Sequence, residues 1–308
     1  MRRTPAALLL SASGMVWATA VHAHIPNAYA AAAARGNNAS TLGVALPVLL
    51  SGALYVLGLW RLRARERAAT ASRAAFFLAG LAVLALALLG PLDRWSATSF
   101  AFHMTQHEIL MLVAAPLLVL GRPLPLFLWA FPRGVRSAFG RATRFVPVAA
   151  TWRVLNAPIT AWLLHAIVLW GWHTPALFDA ALRSAAIHDL QHVSFLLSAL
   201  IFWGALMEQR SHEHQGAAVL YLFTTTVHTG VLGALLTFTS HPWYAAYAEI
   251  VPPGFLSPLE DQQLGGLIMW IPASLVYVGV GLSLLARWIH RSDLTAAAVR
   301  PEAETRHV

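Results

Sequence analysis

The pentapeptide His-x-x-Gln-His occurs twice in this sequence, at residues 103–107 and 188–192, and each copy opens a long apolar stretch. Histidines four residues apart lie on one face of a helix, about 6 Å apart along its axis. Imidazoles are costly inside a bilayer and usually mark a ligand, a proton path or a bound cofactor. The repeat therefore predicts a metal or haem site inside a membrane protein. Its candidate ligands are His103, His107, His188 and His192.

Neighbouring side chains bear on the chemistry of this site. Imidazole nitrogen suits copper, zinc and iron, and the thioether of Met111, on the stripe of the first histidine pair, would add a preference for Cu(I). Gln106 and Gln191, with Asp189, are candidates to hold the imidazole nitrogens that do not bind the metal. The chain has no cysteine, which excludes thiolate zinc sites and disulfides within it. Any metal must then be held by histidine, methionine or carboxylate.

The elements that position these residues are predicted to be membrane-spanning helices. The chain is 58% hydrophobic and 11% charged, whereas a soluble domain carries about 25% charged residues. Repeated apolar stretches of this length can only be helices, because isolated strands would leave backbone groups unpaired in lipid. The sequence therefore predicts an all-α polytopic bundle of seven spans within a domain at 42–291. The spans are expected at 42–60, 74–92, 100–120, 157–172, 190–207, 217–238 and 264–286.

The two ends of the chain are predicted to lie outside this bundle. Arg2 and Arg3 precede an apolar core at 6–20 and an A-x-A-like site at Val21-His22-Ala23. This order is typical of a secretory signal, so residues 1–23 are expected to be a signal peptide or an uncleaved signal anchor. Residues 292–308 are polar and are expected to form a disordered cytoplasmic tail.

Basic residues predict the orientation of the bundle. The net charge of +8 is carried in short clusters between apolar spans, which favours topology signalling over a nucleic-acid partner. After the signal segment, one side of the predicted membrane has only Arg35, Arg94 and Arg183. The positive-inside rule therefore places the N-terminus outside and the C-terminus inside the bacterial inner (plasma) membrane. The opposite, cytoplasmic side carries Arg61, Arg63, Arg65, Arg67, Arg73, Arg122, Arg133, Arg136, Arg141, Arg144, Arg153, Arg210, Arg287, Arg291, Arg300 and Arg306.

With this orientation, the predicted third and fifth spans both enter from outside, so both histidine pairs lie in the outer half of the bundle. His173 lies at the outer end of the fourth span, and Glu260 and Asp261 open the seventh. Asp261 has an alternative interpretation as a helix cap. The Arg-rich segment at 121–156 is expected to lie along the inner membrane surface, with partner docking as the alternative.

These residues resemble a known family. His103-Met-Thr-Gln-His107, His188-Asp-Leu-Gln-His192 and Asp261-Gln-Gln-Leu-Gly-Gly-Leu-Ile-Met-Trp270 over seven helices resemble the CtaG family of caa3-type cytochrome c oxidase assembly factors. The resemblance covers roughly residues 42–291. It implies a non-enzymatic bacterial inner-membrane protein that matures a haem–copper oxidase by handling copper. The matching positions are His103, His107, His188, His192 and Asp261, to which the predicted depth adds His173.

The leading hypothesis is therefore an assembly factor that binds copper at its outer face and passes it to an oxidase subunit. A membrane di-iron oxygenase is a second hypothesis, but those enzymes usually carry an adjacent histidine pair, which is lacking here. Haem-binding or haem-handling proteins and copper transporters remain alternatives. The sequence leaves open the oligomeric state, the identity and oxidation state of the metal, and which histidines share one ion.

Overall fold

A computed structural model describes the backbone of residues 27–62, 68–208, 215–248 and 256–304, and the side chains within 41–62, 71–208, 216–247 and 256–290. Every regular element in these ranges is helical, which confirms the predicted all-α polytopic bundle. The predicted signal peptide at 1–23 lies outside the described residues.

The first helices are α1 (Asn27–Leu62), α2 (Ala68–Leu89), α3 (Pro91–Ser96), α4 (Phe100–Glu108), a π-helical segment (Ile109–Ala114), α5 (Ala115–Leu120), α6 (Pro123–Trp129), α7 (Arg133–Ala142) and α8 (Val146–Leu155). The remaining helices are α9 (Pro158–Trp172), α10 (Pro175–Arg183), α11 (Ala185–Glu208), α12 (Gln215–Thr237), α13 (Ala245–Ala248) and α14 (Pro258–Glu304).

Among the described residues, six helical stretches are long and apolar enough to cross a membrane. The pair α8 and α9, bent by 67° at its junction, gives a seventh if it is counted as one span. The six stretches coincide with six of the seven predicted spans, although several begin or end a few residues away from the expected bounds, and the predicted fourth span at 157–172 falls on α9 of the bent pair. The six are Thr41–Leu62, Ala71–Leu89, Phe100–Leu120, Ala185–Glu208, Gly216–Thr237 and Pro258–His290.

The fourth span differs from its neighbours. Helix α9 alone has 15 residues, which is about 22 Å of helix and less than the roughly 30 Å hydrocarbon core. Pro158 occupies the first turn of α9 and begins the new helix direction after the bend. If the pair is counted as one span, α8 supplies the rest of its length at an angle of 67° to α9.

Two close approaches draw α14 into the bundle. A Cβ atom added at Gly266 would lie 2.7 Å from the carbonyl oxygen of Gly233 on α12, and one added at Gly265 would lie 2.3 Å from the ring of Phe100 on α4. Glycine is needed at both positions because any side chain would strike the neighbouring helix. The Asp-Gln-Gln-Leu-Gly-Gly motif thus fixes the first turns of α14 against α4 and α12.

The core has two parts. One, built on aromatic residues such as Phe100, Phe195 and Phe202, joins α4 and the π-helical segment to α9–α14. The other, around Tyr55 and Phe77, joins α1 and α2 to α5 and α6. Helix α14 has helical backbone as far as Glu304.

Candidate metal centre

The first histidine pair is positioned by a cap at the start of α4. Ser99 is the N-cap and accepts a hydrogen bond from the backbone N–H of Phe102. Asp261, from α14, accepts from the Ser99 hydroxyl at 2.7 Å and from the backbone N–H groups of Phe100 at 2.6 Å and Ala101 at 3.2 Å. This carboxylate therefore caps a neighbouring helix, where a negative charge is favoured by the helix dipole.

The two His-x-x-Gln-His motifs converge across α4 and α11. Within each motif the ring centroids lie 4.4 Å apart for His103 and His107 and 4.2 Å apart for His188 and His192. Between the helices the centroids are 5.3 Å apart for His103 and His188 and 5.3 Å apart for His107 and His192. The four imidazoles thus form one cluster, as the repeated motif predicts.

Three of these histidines have the spacing of a metal site. Ligand nitrogens of His103, His188 and His192 all lie within 4.8 Å of one another, and they are the one such group of three or more found among the described residues. His107 borders this triad from one turn further along α4. Asp261 lies outside the group, with both carboxylate oxygens engaged by the cap of α4.

Burial leaves several of these nitrogens without a partner. The side chains of His103 and His107 are 0% and 1% exposed. The Nε2 atoms of His103 and His192 and both ring nitrogens of His107 lie buried without a hydrogen bond. Unpaired buried polar atoms are rare because each costs free energy. A metal ion held by the Nε2 atoms of His103 and His192 would satisfy those two atoms, so the residues present fit a metal.

Tyr247 fixes the tautomer of His103. The Tyr247 hydroxyl donates to the carbonyl oxygen of Ser96 at 2.6 Å, since a carbonyl can only accept. The phenolic oxygen must then accept the second contact, at 2.9 Å, from Nδ1–H of His103. The proton on Nδ1 leaves Nε2 with a free lone pair directed at the cluster. A ligand's second nitrogen is commonly oriented in this way.

His173 faces away from the triad. Its Nδ1 contacts the carbonyl oxygen of Leu169 at 2.7 Å and its Nε2 lies 3.4 Å from the sulfur of Met104. Its ring centroid is 6.4 Å from that of His107. Burial lowers the pKa of His173 to about 4, against the opposing effect of the Leu169 carbonyl. The structure thus places His173 beside the cluster as a neutral ring with both nitrogens in contact.

The two glutamines of the motifs differ from each other. Gln106 donates from Nε2 to the carbonyl oxygen of Ala87 at 2.9 Å and to the carboxylate of Asp93 at 3.0 Å. Burial raises the pKa of Asp93 despite the opposing effects of this hydrogen bond and of Arg94. Gln191 is fully buried, and neither its amide nitrogen nor its oxygen has a hydrogen bond. Gln106 therefore ties α4 to α2 and α3, whereas Gln191 lies beside His103 in the cluster.

One buried carboxylate was missed by the sequence reasoning. Glu108 follows His107, is buried, and has an unpartnered Oε2 atom. The π-helical turn begins at the next residue, and the carbonyl oxygen of Met111 within it accepts a hydrogen bond from Trp203 Nε1 at 2.8 Å. Such turns are often found at functional sites. An acidic residue inside an apolar stretch is the signal that identifies this position.

The geometry allows a small cation to be held and exchanged. Three imidazoles supply nitrogen donors without thiolate, a set that suits Cu, Zn or Fe. His188 is partly exposed, whereas the other three rings of the cluster are buried. The triad therefore has one partly exposed ring and two buried rings.

Comparisons with known proteins bear on the whole bundle. A family model described as cytochrome c oxidase caa3 assembly factor (Caa3_CtaG) matches residues 53–291. An uncharacterized protein of Mycobacterium bovis and one of Mycobacterium tuberculosis are each 28% identical to this chain over 272 residues, which is 84% of the chain. The chain spans 40% of the length of these curated relatives. No solved structure matches.

Proposed function

We propose that this chain, which belongs to the cytochrome c oxidase caa3 assembly factor family, binds a copper ion as cargo and delivers it to an oxidase subunit. The ion is held by His103, His188 and His192. In this proposal the protein is a non-enzymatic chaperone of the bacterial inner membrane, with its histidine cluster on the outer side.

One observation supports this proposal more strongly than any other. Two helices from separate parts of the chain bring three imidazoles together, and the Nε2 atoms of two of them, His103 and His192, are buried without a hydrogen bond. A purely structural role for these histidines would leave that cost uncompensated. Membership of the family favours copper as the cargo, because haem–copper oxidases contain copper. Imidazole is also a common ligand of copper.

Delivery also needs a site that releases its ion. A closed thiolate cage holds copper tightly, whereas a partly exposed imidazole can be replaced by a ligand from the acceptor. The half-buried His188 is the position for that exchange. His107, with two unpartnered nitrogens, offers a fourth donor on the buried side of the triad.

The test uses the full chain with His103→Ala and His192→Ala together. Purified protein is loaded with Cu(I) and, separately, Cu(II), and bound metal is measured by mass spectrometry after a competing chelator. We expect one copper per wild-type chain and none in the double variant. His165→Ala is the matched control, since this buried histidine contacts Ser198 at 3.3 Å and should leave copper binding unchanged.

Delivery is tested in a strain that lacks the wild-type copy. We expect the double variant to yield oxidase without its copper centre, and the His165→Ala control to yield loaded oxidase. Wild-type protein that binds no copper, or normal oxidase from the double variant, would contradict the proposal. A Soret band in the purified wild-type protein would favour haem handling in its place.

A further inference from the structure

The segment at 121–157 has a surface that the metal site does not explain. It contains six arginines and no aspartate or glutamate. Its helices α7 and α8 have no buried residue. None of these arginines makes an ion pair with a residue whose side chain the structure describes. A strongly basic pair of helices is thus left uncovered at the end of the bundle remote from the histidines.

Helix α7 divides its side chains into two faces. At 100° per residue, Arg133, Ser137 and Arg141 fall on one side and Val135, Ala138, Phe139 and Ala142 on the other, and Arg144 follows in the turn after the helix. Val135 and Phe139 are 49% and 48% exposed, so no described part of the chain covers the apolar face. Large apolar side chains on a basic amphipathic helix are typical of a helix that lies in the plane of a membrane surface.

The neighbouring elements hold α7 at the level of the membrane interface. Helix α6 is fixed to α1, because the Arg61 guanidinium donates to the Ala130 carbonyl at 2.6 Å and Leu126 is buried. Arg136 then stacks over Trp129, 4.1 Å from the ring centroid, and connects α7 to α6. On the other side, α8 leads into α9 across a bend of 67°, and the two helices are long and apolar enough for a span only when they are taken together. Helix α7 is therefore tethered between two elements at the edge of the bilayer.

We propose that α7 and the turn that follows it form a docking surface for the headgroups of anionic phospholipids. The apolar face of α7 enters the acyl boundary, and Arg133, Arg141 and Arg144 contact lipid phosphates. Charge complementarity selects this occupant, because the segment carries only positive charge, and guanidinium groups bind phosphate oxygens in a bidentate manner. A neutral partner helix would bury the apolar face and leave the arginines unpaired.

The absence of cysteine makes a direct test possible. Phe139→Cys and its matched control Ser137→Cys each introduce the single thiol of the chain, which is labelled with an environment-sensitive fluorophore. The full chain is reconstituted into bilayers of phosphatidylcholine alone or with phosphatidylglycerol, each containing spin-labelled lipid. We expect the label at 139 to be quenched about threefold more strongly with phosphatidylglycerol, while the label at 137 stays accessible to an aqueous quencher.

A second variant separates charge from folding. Arg133→Gln with Arg141→Gln and Arg144→Gln should abolish the dependence on phosphatidylglycerol while copper binding stays at the wild-type level. Equal quenching in both bilayers would overturn the proposal. Accessibility of the label at 139 to the aqueous quencher in both kinds of bilayer would also overturn it. The same holds if that label becomes shielded only when an oxidase subunit is added, or only when the protein concentration in detergent is raised.

Discussion

The two ends of the bundle bury and expose opposite kinds of side chain. At the histidine end, formed by the first turns of α4 and α11 with α13, polar rings are enclosed and aromatic residues cover them. At the arginine end, formed by α7 and α8, apolar and charged side chains are both exposed. Enclosed polar groups depend on exact partners, because the low dielectric magnifies every missing contact. Exposed charges act through the sum of weak contacts.

The comparison predicts large single-residue effects at the histidine end. The largest is expected for His192→Ala, which removes one of the three proposed copper ligands and should weaken copper binding by more than about 100-fold. His173→Ala should change it by less than about threefold, because both nitrogens of that ring are turned to other partners. Competition with a chelator of known affinity measures both. Equal losses in the two variants would place His173 in the ligand set.

The next effect tests the contact between Tyr247 and His103. Tyr247→Phe keeps the ring and removes the hydroxyl that accepts from Nδ1–H. Loss of such a partner typically weakens metal binding by about 10–100-fold. Tyr244→Phe is the control, since its hydroxyl donates to the backbone carbonyl of His173 at 3.0 Å. The same competition titration separates the two variants, and unchanged affinity in Tyr247→Phe would remove the tautomer argument.

A smaller effect, on stability, is expected from Asp261→Ala. The change leaves the Ser99 hydroxyl and the first backbone N–H groups of α4 without their acceptor, at a cost of about 2 kcal/mol. Thermal unfolding in detergent should show a lower Tm, and the copper stoichiometry measured at low temperature should remain near wild type. Loss of copper from a variant with unchanged Tm would instead make Asp261 a ligand.

The smallest effects belong to the arginine end. Each of Arg133→Gln, Arg141→Gln and Arg144→Gln should change the free energy of unfolding by less than about 0.5 kcal/mol, because exposed charges contribute little, even where one such as Arg141 donates to a nearby Ser137 hydroxyl at 2.9 Å. Chemical unfolding of each single variant in neutral detergent measures this. A single arginine whose replacement unfolds the protein would show that this end has a buried contact of its own.

Local patterns predicted the spans and the histidine pairs well. Spacing by four residues is a property of one helix, so the closeness of His103 to His107 and of His188 to His192 follows from sequence. The partners of Asp261 and the turned ring of His173 depend on which helices are adjacent, which no local pattern contains. Tyr247 was missed for the same reason, because it reaches His103 from a different part of the chain.

The π-helical turn after Glu108 has a consequence for the whole of span three. A turn closed by i→i+5 bonds holds one residue more than an α-helical turn, and one residue corresponds to about 100° of rotation. The π-helical turn therefore rotates the second half of the span relative to the first. As a result, Leu118 can face α2 while His103 faces α11. Deleting one residue from 109–114 would restore uninterrupted α-helical phase and rotate the two halves out of alignment. Span three thus behaves as two helices joined by a phase shift, and each half meets its own neighbours.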